Sequence, residues 1–232
     1  MIDFCLSWLS PHICKGCRAV GKALCGSCKK YILDQSGREC ITCQREIDWQ
    51  TFAWQGNLCA KCANDSPFKR VFVVGERKTT LRELVDDYKF ASERDSAQPI
   101  ADLILSILPE KLPDDLIIMP LTTIPKHIRQ RGLDHTKLIV RNLARLRKMT
   151  AVYNVLLRND NIAQHSADAK TRARQAAKTF AINPRTKIPK KILLIDDIYT
   201  TGATATAAAK LLRKHGAKEI WLGIVARQIG NK

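Results

Sequence analysis

The chain has 232 residues, 45% of them hydrophobic, and a formal net charge of +17. That size admits one medium domain with its own core plus a small accessory domain, and the hydrophobic share excludes a disordered chain. No apolar run is long enough to cross a bilayer, and the start, MIDFCLSWLSPHIC, lacks the basic region of a secretory signal. A cytoplasmic protein without membrane insertion is therefore expected. The charge is uneven: residues 111–191 hold 18 Lys or Arg against 5 Asp or Glu, so most of the excess lies in one stretch and points to a polyanionic partner.

All nine cysteines fall within the first 62 residues, and eight form CxxC pairs: Cys14 with Cys17, Cys25 with Cys28, Cys40 with Cys43, Cys59 with Cys62. A CxxC turn aims two sulfurs at one point, and two such turns complete a closed tetrahedral site, so two structural zinc ions are expected. Pairing in sequence order gives one site from Cys14, Cys17, Cys25 and Cys28 and another from Cys40, Cys43, Cys59 and Cys62; a cross-brace is the open alternative. Cys5 is left over on an apolar segment and is expected to pack rather than ligate. Trp49, Phe52 and Trp54 lie between the third and fourth pairs, where aromatics either fill a small core or stack single-stranded bases. The boundary with the rest of the chain is placed at residue 65, giving a cysteine-rich module over 1–65 and a larger domain over 66–232.

Beyond a polar link at Asn64–Lys69, Val71–Gly75 reads as an edge strand. Leu81–Ser92 has helical spacing of apolar residues, and Pro99–Leu108 is a second, apolar helix. Leu116–Met119 is expected to be the first central strand. It is followed by a turn holding Thr122, Thr123 and Lys126 and by a long basic helix. Val152–Leu157 reads as the next strand, and a polar, Arg-rich segment containing Gln164, Arg172 and Arg174 separates it from Phe180. Ile192–Ile195 is short, continuous and apolar, as a buried parallel strand is. Asp196 and Asp197 follow at once, then Thr200, Thr201, Gly202, Ala203 and Thr204, then an alanine-rich helix closed by Gly216. A final strand is expected at Ile220–Ala226.

The order strand, acidic pair, hydroxyl-and-glycine turn, helix suits a sugar phosphate. Ligands of open α/β sheets bind beyond the carboxyl ends of the strands. A helix N-terminus with a glycine and threonine hydroxyls receives a phosphate, and the two acids suit sugar hydroxyls, with Mg²⁺ nearby to balance charge. A plain βα turn with Asp197 as a helix cap is the bland alternative.

LLIDDIYTTGAT resembles the phosphoribosyl pyrophosphate (PRPP) signature of type I phosphoribosyltransferases. The resemblance implies a parallel sheet flanked by helices, with Asp196 and Asp197 on the ribose hydroxyls and Thr200–Thr204 on the 5-phosphate. It further implies Thr122, Thr123 and Lys126 on the diphosphate and Mg²⁺ bound with PRPP. The segment RQRGLDHTKLIVRNLA is similar to the RxRGFNQxxxLA pattern of the ComF family, proteins with an N-terminal zinc ribbon and a C-terminal phosphoribosyltransferase-like domain. Arg131 and Gly132 match, while Leu133, Asp134 and His135 replace the usual Phe, Asn and Gln. Gln164, Arg172, Arg174 and Phe180 are similar to that family's closing segment, with Gln175 where Asn is usual, and Arg227 matches its ending. The resemblance implies PRPP and single-stranded DNA as ligands, competence-machinery proteins as partners, and DNA uptake in natural transformation as the role. The rival expectation is an active phosphoribosyltransferase that releases pyrophosphate on transfer to a nitrogenous base, with Asp196 and Asp197 in its catalytic site.

Overall fold

A computed structural model describes residues 12–90, 96–123, 125, 128–129, 132–158 and 179–228, and of Trp49, Trp54 and Phe90 the backbone only. Its elements are α1 (Gly26–Asp34), α2 (Trp49–Gln55), α3 (Ala60–Ala63), β1 (Arg70–Glu76), α4 (Thr79–Phe90), α5 (Ala97–Ile107) and β2 (Leu116–Pro120). There follow α6 (His135–Arg147), β3 (Leu156–Arg158), β4 (Phe180–Ile182), β5 (Lys191–Tyr199), α7 (Ala203–Lys214) and β6 (Glu219–Arg227). Four strands form an all-parallel sheet in the order β1-β6-β5-β2. All their carboxyl ends therefore open on one side, with β5 in the interior.

Alternation along the strands divides the core between the two faces. Phe72, Val74, Leu193 and Ile195 belong to the face covered by α4, α5 and α6, together with Leu24 and Ile32 from the cysteine-rich region. Val71, Val73, Ile192 and Leu194 belong to the other, covered by α7 and by Ile41, Ile47 and Leu58. The helices bury residues at helical spacing, Leu81, Leu84, Val85 and Tyr88 on α4 and Ala205, Ala208, Ala209 and Leu212 on α7. The alanines of α7 let its axis lie close to the sheet.

The cysteine-rich region straddles the β1 edge. Gly56 makes a parallel bridge to Val71, and at φ 63 an added Cβ would sit 2.0 Å from the Val71 carbonyl oxygen, so only glycine fits. Buried Asn57 completes the joint. Its backbone N–H donates to Val71 O at 2.6 Å, its Oδ1 accepts from the Val73 N–H at 2.9 Å, and its Nδ2 donates to Gly37 O at 2.9 Å. An edge that would otherwise expose unpaired backbone is covered in this way.

Two expected strands sit elsewhere than the sequence suggests. β2 is an outer strand of the four, its free side met only by an isolated Ile118–Ala151 bridge among the described residues. Val152–Leu157 does not run on as a strand because Asn154 is left-handed, at φ 61. Only Leu156–Arg158 is extended, and it pairs antiparallel with Phe180–Ile182 as a separate ribbon. Both signature acids lie within β5, which runs four residues past Ile195 because β6 pairs with it as far as Tyr199 and Arg227.

Candidate functional site

A cavity of about 310 Å³ opens at the carboxyl ends of β5 and β2, beside the N-terminus of α7. Asp196, Asp197, Thr200, Gly202, Ala203 and Thr204 line it from the β5–α7 connection, and Thr122 and Thr123 from the turn after β2. Thr201 lies at the surface beside it, its Oγ1 accepting the Ala203 N–H at 3.4 Å. Lys126, Arg131, Gln164 and Arg172 lie outside the described residues, as do Arg174, Gln175 and Cys5.

The turn is shaped by Gly202, the N-cap of α7, at φ 72. An ideal Cβ there would fall 2.1 Å from Tyr199 Oη, so the tyrosine ring rests directly on the glycine. Thr122 Oγ1 donates to Leu156 O at 2.9 Å and Thr123 Oγ1 to Asp134 Oδ1 at 3.4 Å. Both hydroxyls thus fix the β2 turn that lines the cavity.

Two cations that sequence reading missed complete the lining. Lys89, from α4, places Nζ 2.8 Å from Asp197 Oδ2, both side chains being nearly buried. Neighbouring Tyr88 fixes that helix end, its buried hydroxyl donating to His135 O at 2.7 Å and its ring meeting the His135 ring edge-on. Burial pushes the Tyr88 phenol well above its ordinary value, so it stays neutral. Arg158, from β3, donates to Thr122 O at 3.1 Å. Lys89 had a signal in sequence only as a basic residue closing a helix; nothing local ties it to Asp197.

The acids are not equivalent. Burial, then the charge of Asp197, pushes the Asp196 carboxyl up to about 7, against the pull of Lys89, the Asp197 N–H and Arg158. The folded value lies above the unfolded one of about 3.9, so the folded chain keeps a proton that the unfolded chain has lost. This contribution to stability is therefore intact below about pH 4, falls as pH rises to about 7, and is level above. Asp196→Asn should accordingly be more stable than the parent chain by a margin that widens across that window, read as the difference in Tm. A margin independent of pH would contradict the assignment.

The cysteines form two groups, Cys14, Cys17, Cys25 and Cys28, and Cys40, Cys43, Cys59 and Cys62, with the sulfurs of each within 4.8 Å of one another. Pairing in sequence order is thus the arrangement found, and the cross-brace is not. Cys17 and Cys25 Sγ are 3.6 Å apart and Cys43 and Cys59 Sγ 3.7 Å. These separations exceed a disulfide bond and match the edge of a tetrahedron with metal–sulfur bonds of about 2.3 Å. The two centres are copies of one device: Cys14 and Cys40 open turns with left-handed Arg18 and Gln44, and Cys25 and Cys59 are N-caps of α1 and α3. Burial raises the Cys14 and Cys40 thiols, but backbone N–H groups outweigh it and bring both down to about 6. Cys28 and Cys62 are pushed up to about 12 by burial and by neighbouring sulfurs. Four sulfurs gathered around one point, one of them readily ionised, suit a cation that would hold all four as thiolates, and either group could hold zinc.

The chain is 27% identical over 228 residues to Competence protein F of Haemophilus influenzae, covering 92% of this chain and 95% of that protein. It is 25% identical over 199 residues to Competence protein ComFC of Streptococcus pneumoniae, covering 85% and 84%. The chain is a homologue of the ComF proteins. A further relative is the DNA utilization protein YhgH of Escherichia coli K12, 26% identical over 183 residues and covering 74% of this chain and 78% of that one. No family profile matches the chain. Among solved structures, the allosteric regulatory enzyme of purine biosynthesis is 15% identical with a TM-score of 0.41, over 60% of this chain and 30% of that one, so the chain spans under a third of its length. Like the ComF proteins as the sequence pattern describes them, this homologue joins cysteine clusters to a parallel sheet flanked by helices. Among the described residues no helix is long and apolar enough to cross a membrane.

Proposed function

We propose that this ComF homologue is a cytoplasmic protein of DNA uptake in natural transformation, binding PRPP with Mg²⁺ and handling single-stranded DNA beside other proteins of the competence machinery. The names of its relatives support the role. One observation carries the ligand: the cavity joins two acids, a left-handed glycine and a helix N-terminus in the order a ribose 5-phosphate requires. The 5-phosphate lies against the backbone N–H groups of Gly202–Thr204 and the hydroxyls of Thr200, Thr201 and Thr204. Asp196 and Asp197 accept from the ribose hydroxyls, with Lys89 Nζ holding the Asp197 carboxylate in place by its ion pair. The diphosphate faces Thr122 and Thr123, and Lys126, Arg131, Gln164 and Arg172 would meet the ligand from beyond the described residues. When bound, Mg²⁺ would offset the diphosphate charge.

Lys89 and Arg158 in one cavity favour a second reading, an active phosphoribosyltransferase. A nitrogen acceptor would attack C1 of PRPP as the C1–O bond broke, the electron pair leaving with pyrophosphate, whose charge the cations would stabilise, and the acceptor's N–H proton passing to solvent. Calorimetric titration with PRPP, with and without Mg²⁺, tests the first reading. Pyrophosphate release that depends on one added base would select the second.

A further inference from the structure

The basic excess of the sequence has a definite place in the fold. Between His135 and Lys148 there are five Lys or Arg and no acid. Lys137, Arg141 and Arg145 on α6 are all exposed and recur every four residues, so they form a row spaced about 6 Å along one helix face. The row starts beside the sugar-phosphate cavity, since the α6 N-cap Asp134 accepts from Thr123. It ends at a second cavity, of about 460 Å³, between the loop of the first cysteine group and α5.

This second cavity has a floor of Ala23 and Leu24 and polar walls that include Lys22, Lys29, Gln98 and Asn142, with Asp102 opposite. Arg145 Nη2 joins row to cavity, donating to Gln98 Oε1 at 3.5 Å and to Asn142 Oδ1 at 3.3 Å. Among the described residues neither Lys22 nor Lys29 has an ion-pair partner, in contrast to Lys15, Lys78, Lys89 and Lys191, each of which meets a carboxylate.

We infer that the α6 row and the Lys22–Lys29 cleft form the track of a single-stranded nucleic acid. Successive phosphates lie along Lys137, Arg141 and Arg145. One unstacked nucleotide enters the cleft, its phosphate facing the two lysines and its base resting on the apolar floor with its polar edge toward Gln98, Asn142 and Asp102. A duplex has its bases enclosed and could use the row but not the cleft. This track rests on the nucleic-acid half of the proposed function and is independent of the PRPP half.

The test is fluorescence anisotropy of the full chain with labelled oligo(dT), oligo(U) and a DNA duplex, between about 50 and 200 mM salt. The pairs Lys22→Glu with Lys29→Glu and Arg141→Glu with Arg145→Glu are compared with Arg185→Glu and Lys187→Glu, exposed on the β4–β5 turn. Each track pair is expected to weaken single-strand binding at least about tenfold and to flatten the log–log salt slope by about 1.4, two contacts at about 0.7 each. The control pair should change affinity less than about threefold, and PRPP affinity should be unaltered throughout. Oligo(dT) should bind more tightly than oligo(U), and the reverse order would overturn the assignment of the track to DNA. Equal losses in the control pair, equal binding of duplex, equal displacement by polyglutamate, or no single-strand binding by the parent chain would overturn the track. Loss of PRPP binding in every protein would sink the sugar-phosphate reading and leave the track standing.

Discussion

Removing metal with a strong chelator in reducing buffer is expected to abolish cooperative unfolding or to lower Tm by more than about 15 °C, from a holo protein with two zinc ions per chain. The size of the effect follows from where the second cysteine group sits. It lies within the core of one sheet face and is hydrogen-bonded to β1 through Gly56 and Asn57. Structural zinc sites contribute about 10–16 kcal/mol in isolated peptides, as much as the whole stability of a typical domain. Loss of the ion would free Gly37–Asn57, expose the edge of β1, and open the core over Val71 and Val73. Cys62→Ser should for that reason be more damaging than Cys17→Ser, since the first group contributes Leu24 and Ile32 to the other face and, among the described residues, reaches β1 through the Ser36 hydroxyl on Val74 O rather than through backbone pairing. Elemental analysis and thermal melts in parallel check both statements. A metal-free protein that melts unchanged would refute them.

Gly202→Ala should lower affinity for PRPP by at least about a hundredfold while leaving a folded protein. Alanine would have to adopt a left-handed conformation, worth roughly 1–2 kcal/mol, and its methyl group would collide with Tyr199. Because the ring carbon Cζ lies 2.4 Å from that methyl position, as well as Oη at 2.1 Å, Tyr199→Phe should not rescue the variant. The turn must open, and the backbone N–H groups at the start of α7 lose their common direction. Retention of native affinity would show that no anion is held there.

The parts legible in the sequence are those whose cause is local. CxxC spacing sets the reach of paired sulfurs, so both four-cysteine groups could be named, although their pairing required the fold. The β5–α7 connection is likewise contiguous, so Asp196, Asp197, Thr200, Gly202 and Thr204 come to line one cavity. Illegible features depend on distant segments. Lys89 reaches Asp197 only because α4 folds over the carboxyl end of the sheet. The role of Gly56 and Asn57 is hidden because QGN reads as an ordinary turn until β1 lies beside it. Val152–Leu157 has the composition of a strand, and one left-handed asparagine divides it.

Calorimetric titration of PRPP into the zinc-loaded chain and into Asp196→Ala, each with and without Mg²⁺, bears most directly on the sugar-phosphate site. Saturable one-to-one binding by the parent chain that needs Mg²⁺ and is lost in Asp196→Ala is the predicted result. Absence of heat in the parent chain, or binding indifferent to Asp196, would contradict the site at the end of β5.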